Sequence, residues 1–142
     1  MKNFRCVVYA SSASYRLATA ELEVLLADAR AFNHEHQITG VLLHSGAHFM
    51  QCLEGAPQDV AKAYERIQRS SQHQDIVEYM DDEIAKRTFT SWDMGVAQIN
   101  ASELLTLSTA EWSRTTQQPA SFDSPVGLKL LNVFWNMRPE AA

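Results

Sequence analysis

Residues 38–55, Ile-Thr-Gly-Val-Leu-Leu-His-Ser-Gly-Ala-His-Phe-Met-Gln-Cys-Leu-Glu-Gly, constrain the fold more than any other stretch of the chain. Two apolar runs flank Ser45-Gly46-Ala47, a pattern that specifies a β-hairpin whose turn uses the freedom of glycine at positive φ. Gln51 interrupts the second run. An amide that faces the core from an antiparallel strand needs partners, because an unpaired polar group there costs about 1–3 kcal/mol. Gln51 must therefore be satisfied, either by the protein itself or by a bound molecule.

The segments on either side of the hairpin complete a recognisable order. Residues 4–10 are β-branched and aromatic and run into Ser-Ser-Ala-Ser, which predicts a first strand closed by Tyr9. Residues 19–33 follow as a helix, with Thr19 as a candidate N-cap and Leu22, Leu25, Leu26 and Ala29 on one face. A further step of four places Asn33 on that face, aimed inward or serving as an ordinary C-terminal asparagine. Pro57 sits at the expected first position of a second helix, whose apolar face is Val60, Ala63, Tyr64 and Ile67. Arg66 lies beside that face, where it can lean toward an anion.

Strands are expected at 75–80 and 91–99, with Asp81-Asp82-Glu83 and Lys86-Arg87 in a solvated connection between them. A short helix at 101–112, a polar loop at 115–125 and a helix at 126–137 with Val126, Leu130, Val133, Phe134 and Met137 apolar complete the chain. Strand, helix, strand, strand, helix, strand is the split βαβ order. It predicts an α+β, ferredoxin-like fold: a five-stranded mixed, mostly antiparallel sheet with two helices on one face and the C-terminal helices on the other.

Composition removes several function classes. The 142 residues suffice for one domain. A net charge of -5 gives no basic footprint, so no direct nucleic-acid partner is expected. Cys6 and Cys52 lie in apolar runs and read as small buried hydrophobes. With no charged-then-apolar leader and no long apolar span, a soluble cytoplasmic protein without a membrane partner is expected. Glycine-rich phosphate loops, His-Glu-x-x-His, Gly-x-Ser-x-Gly and Cys-x-x-Cys are all missing from the sequence. His34 and His36 flank Glu35, but where the first helix ends in a polar connection, so they read as exposed and no metal site is expected.

The expected fold makes the first and third strands neighbours and packs the first helix on them, which gathers Tyr9, Asn33 and Gln51. A phenol and two amides include no strong base or nucleophile. They suit recognition of a planar ligand with alternating donors and acceptors. Three independently satisfied polar side chains are the competing interpretation.

Five segments carry a resemblance. Val-Tyr-Ala-Ser at 8–11, Asn33 followed by Ile-Thr-Gly-Val-Leu-Leu at 38–43, Phe-Met-Gln-Cys-Leu-Glu-Gly at 49–55, Tyr-Glu-Arg-Ile at 64–67 and Arg-Thr-Phe-Thr-Ser-Trp-Asp-Met-Gly at 87–95 resemble the BLUF family, blue-light sensors using FAD. The tail resembles the helical cap of short single-domain members in length and amphipathic character. The resemblance implies residues 1–100 as a flavin-binding core and 101–142 as a cap of the same domain, with FAD between the two long helices. It implies Tyr9 as the redox-active phenol, Gln51 as the amide linking it to the flavin edge and Asn33 as a partner for the pyrimidine side. Arg66 and Ile67 match positions beside the cofactor, and Ile38 and Phe49 would supply apolar walls. Trp92 and Met94 would lie on the last strand and carry the signal. Two positions depart from the family pattern: Phe32 stands where an asparagine is frequent, and Ser70 where close members are acidic.

The function so implied is photochemical switching without net turnover, not enzymatic catalysis, with output through a homo-oligomer or a separate downstream protein. The alternatives are a small ferredoxin-like isomerase or hydrolase, and an interaction module that is not photoactive.

Overall fold

A computed structural model of the protein describes residues 4–13, 19–45, 48–69, 73–89, 95–112 and 126–137. Among the described residues nine elements follow in chain order: β1 (Phe4–Ala13), α1 (Thr19–Glu35), β2 (Thr39–Ser45), β3 (His48–Gly55), α2 (Pro57–Arg69), β4 (His73–Ile84), β5 (Gly95–Gln98), α3 (Ala101–Thr109) and α4 (Val126–Asn136). Gly46 and Ala47 of the expected hairpin turn, the 115–125 loop, Ser70, Trp92 and Met94 lie outside the described residues.

The strands form one sheet in the order β4-β1-β3-β2-β5. β1 pairs antiparallel with both β3 and β4, β2 pairs antiparallel with β3, and β5 joins β2 in parallel. This is the expected α+β arrangement. Alternation along β1 and β3 divides the core in two. Val7, Tyr9, Phe49 and Leu53 face α1 and α2, where they pack with Leu26, Val60, Ala63 and Tyr64. Cys6, Val8, Met50 and Cys52 face the other way, into a cluster with Leu107, Trp112, Leu128, Leu131 and Trp135 of the C-terminal segment.

Two glycines permit close approaches. A Cβ at Gly40 of β2 would overlap the carbonyl oxygen of Cys52 on β3, and one at Gly127 would overlap the Trp112 ring. The Trp112 indole is itself fixed by donating to the carbonyl of Leu107, at 2.9 Å. Asn100 and Glu103 start α3 with a reciprocal capping box.

Several elements differ from the sequence reading, each for a local reason. α1 continues two residues beyond Asn33, and the chain turns at Gln37, whose φ is 56°. Ile38 N–H donates to Asn33 O at 2.8 Å and Gln37 N–H to His34 O at 3.3 Å, the paired bonds of a Schellman ending. Asn33 is thus not the residue that ends the helix, and its side chain is buried.

β4 is longer than 75–80 and takes in Asp81-Asp82-Glu83, so these acids are not a loop. They pair with β1 through Val7, Cys6 and Arg5. The Arg5 guanidinium grips Asp81 with two bonds of 2.7 and 2.8 Å, which compensates an acid placed in a strand.

In α4 the buried positions are Gly127, Leu128, Leu131 and Trp135, whereas Val126, Val133 and Met137 are exposed. This helix carries two apolar stripes, and the sheet takes the one with the larger, tryptophan-bearing surface.

Candidate functional site

Tyr9 and Gln51 are cross-strand partners in the β1–β3 register. Side chains directly opposite on one face stand within contact distance, and here the Tyr9 hydroxyl donates a hydrogen bond to Oε1 of Gln51. Both are buried, Tyr9 completely. Burial, followed by the nearby Tyr64 phenol, pushes the Tyr9 pKa far above its ordinary value. The phenol therefore keeps its proton across the whole physiological range.

Tyr64 reaches this site from α2. Its ring lies 5.6 Å from that of Tyr9, centroid to centroid, tilted by 33°. Its hydroxyl donates to Glu78 of β4 at 3.1 Å. Burial, then the Glu78 hydrogen bond, raise its pKa to about 12.

The remaining expected residues surround this pair. Asn33 is buried on the last turns of α1, and Ile38, the next residue of the Schellman motif to be fixed, is fully buried. Ile38 and Phe49 belong to the same apolar cluster as Tyr9, and Ile67 packs against it half-buried. Arg66 lies at the rim. Its guanidinium is 3.0 Å from the Asp28 carboxylate of α1 and 4.2 Å above the Phe32 ring. Phe32 in turn stacks on His36, 4.0 Å between centroids. The residue that replaces the frequent asparagine thus becomes a platform for the rim cation. His36 Nδ1 lies 2.9 Å from the Phe32 carbonyl. Trp92 and Met94, the expected signal carriers, fall outside the described residues.

The sequence reading missed Glu54. It is fully buried on β3, and its carboxylate accepts from Thr88 N–H at 2.9 and 3.0 Å and from Phe89 N–H at 2.8 Å. Burial raises its pKa, while the backbone donors oppose that rise. Cys6 Sγ and Cys52 Sγ touch at 3.7 Å, and the ligand atoms of Cys6, Cys52 and Glu54 lie within 4.8 Å of one another. The contact with Cys6, then burial, holds the Cys52 thiol well above its usual pKa. A signal for Glu54 existed in the alternation of Met50, Cys52 and Glu54, which puts a carboxylate on the core face.

The site offers a phenol already bonded to a carboxamide, a second buried carboxamide and apolar walls. Such a set suits a flat heteroaromatic edge and supplies no hydrolytic machinery. No helix among the described residues is long and apolar enough to cross a membrane.

Several known proteins are similar to this chain. Residues 4–95 match the family model BLUF, sensors of blue-light using FAD. The blue light- and temperature-regulated antirepressor BluF of Escherichia coli is 31% identical over 83 residues, 58% of this chain and 21% of that protein. The photoactivated adenylate cyclase subunit beta of Euglena gracilis is 29% identical over 85 residues, 60% of this chain and 10% of that protein. This chain therefore spans only a minor part of these curated relatives. Among solved structures, BlsA in its photo-activated state superposes with a TM-score of 0.75 at 26% identity, covering 99% of both chains. The dark state of BlrB, a BLUF protein, gives 0.63 at 29% identity, covering 69% of this chain and 74% of that one.

Proposed function

Because the chain belongs to the BLUF family of blue-light sensors using FAD, we propose that it is a photoreceptor in which Tyr9 and Gln51 form the light-operated switch. The observation that carries this reading is the buried hydrogen bond from the Tyr9 hydroxyl to Gln51 Oε1. When bound and excited by blue light, an oxidised flavin supplies a strong one-electron oxidant. Tyr9 is the electron donor. Its proton, held firmly in the dark, leaves along the existing bond toward Gln51 once the ring is oxidised. Gln51 then rearranges, by rotation or by tautomerisation. Electron and proton return to Tyr9, so that the cycle ends without net oxidation but with a different bond at the carboxamide. The rearranged Gln51 would offer a bound flavin edge a new hydrogen bond, and a red shift of its absorption would report that change.

Asn33 is proposed to hold the pyrimidine side, with Ile38, Phe49 and Ile67 as walls and Arg66 at the rim. Engagement of Arg66 by the cofactor would draw on a guanidinium that now spans α1 and α2 through Asp28 and Phe32. Residues 1–100 act as the flavin-binding core and 101–142 as its cap, a division supported by Leu107, Leu128, Leu131 and Trp135 buried on the sheet face opposite Tyr9. Trp92, Met94, the last strand and the cap helices carry the change to a homo-oligomer or a separate protein. The sensor itself turns over no substrate.

Tyr9→Phe should bind flavin yet lose the light-induced red shift. An unchanged red shift in that variant would defeat the mechanism. Identical size-exclusion profiles in dark and light would count against output through oligomerisation.

A further inference from the structure

We propose that Glu54 is a positioning residue: its carboxylate clasps residues 88 and 89 to β3, so that a displacement of the strand carrying Gln51 is delivered to the chain entering β5. This deepens the sensor reading above and rests on it.

The geometry is that of a clasp and not of incidental packing. A carboxylate offers only acceptors, and both oxygens of Glu54 are used by consecutive backbone donors, Thr88 N–H and Phe89 N–H. Arg87 closes the same junction from outside, donating through Nη1 to the Glu54 carbonyl at 3.3 Å and to Thr39 Oγ1 on β2 at 3.0 Å. Among the described residues, the groups facing the carboxylate are the two backbone donors, the Thr88 hydroxyl, the Arg87 guanidinium and the thiols of Cys6 and Cys52. Phe89 is buried in the cluster that also includes Ala97 and Ile99 and, from the cap, Leu107, Leu128 and Trp135.

Position along the strand gives the clasp its meaning. Gln51 and Glu54 are three residues apart, about 10 Å along a strand, and alternation points them to opposite faces of the sheet. A hydrogen-bond change at Gln51 acts on the α1–α2 side. Glu54 is where the same strand grips the segment leading to β5 and the cap. A neutral amide grips the two donors less firmly, because charge-assisted bonds are the stronger ones. Glutamine has one acceptor oxygen, and its NH₂ group would meet a backbone N–H with like polarity.

The test uses full-length, flavin-loaded protein and amide-resolved hydrogen exchange in the dark and under blue light, for wild type and Glu54→Gln. Met80→Ala serves as the control, since it removes buried side-chain volume from β4 and leaves the clasp intact. In the dark, Glu54→Gln should speed exchange at Thr88 and Phe89 at least tenfold, with Met80→Ala showing no such local effect. Under light, Glu54→Gln should keep the flavin red shift while losing at least half of the light-induced exchange change over residues 95–112. A merely structural role would weaken both readouts together. If Glu54→Gln does not yield folded protein, Glu54→Asp, which draws the oxygens back by one methylene, should give the same pattern in smaller amplitude.

Unchanged protection at residues 88 and 89 overturns the proposal, as does a loosened clasp with an undiminished light response in β5. A wild-type protein that shows no light-induced shift refutes the sensor reading and this inference with it. The dark exchange of Thr88 and Phe89 separates that failure from failure of the clasp.

Discussion

Removing the Tyr9 hydroxyl tests the central contact as an energetic unit. In Tyr9→Phe the ring and its packing against Tyr64 remain, while Oε1 of buried Gln51 loses its bond from the Tyr9 hydroxyl. Loss of a hydrogen bond at a buried polar atom costs up to about 1–3 kcal/mol. Gln51→Leu makes the converse defect, removing the Gln51 acceptor from the buried phenol hydroxyl, at a similar cost. The double variant removes both polar partners and replaces them with apolar groups, so much of the penalty should vanish. The expected coupling is about 1–2 kcal/mol, with the double variant more stable than the sum of the singles predicts. Urea unfolding in the dark reads this directly. At a slope of about 1.5–2 kcal/mol/M, a loss of about 2 kcal/mol moves the midpoint by roughly 1 M. Strict additivity of the two singles would refute the claim that these side chains are each other's partners.

Three further outcomes follow from particular contacts. Gln37→Gly should stabilise the protein by about 0.5–1 kcal/mol in thermal unfolding, because glycine adopts the positive φ of this helix ending without a side-chain penalty. Arg66→Ala should change the stability of flavin-free protein by less than about 1 kcal/mol, since its pair with Asp28 is solvent-exposed. If Arg66 holds the cofactor through a charge-assisted bond, the same variant weakens flavin affinity by about ten- to a hundredfold in fluorescence titration. Burial raises the Glu54 pKa in the folded state above its ordinary value of 4.5, so the folded protein holds this proton to a higher pH than the unfolded chain does. The stability of wild type relative to Glu54→Gln should therefore be greatest below about pH 4.5 and decline as pH rises through the raised value; a flat difference across that window in chemical unfolding at stepped pH would contradict the assignment.

Much of this molecule was legible in one dimension. The hairpin at 38–55, the spacing of Val60, Ala63 and Tyr64, and the order of strands and helices rest on periodicities of two and 3.6, which local chemistry enforces. Once β1 and β3 were neighbours, Tyr9 and Gln51 could meet. Their registry as direct partners is the observed outcome.

Other features depended on what packs where. Both stripes of α4 are apolar, and only the shape of the sheet face with Trp112 and Gly127 chose Leu128, Leu131 and Trp135 over Val126, Val133 and Met137. Asp81 looks like a loop residue until Arg5 stands beside it. Glu54 alternates onto the core face, but its partners come into view only when two backbone donors from 34 and 35 residues away close on it. The sequence by itself determined the elements, their order and the polar residues they carry inward, because those follow from neighbours along the chain. Only the tertiary structure decided which face each helix buries and which distant backbone groups satisfy a buried charge, because those energies exist only between segments brought together by folding.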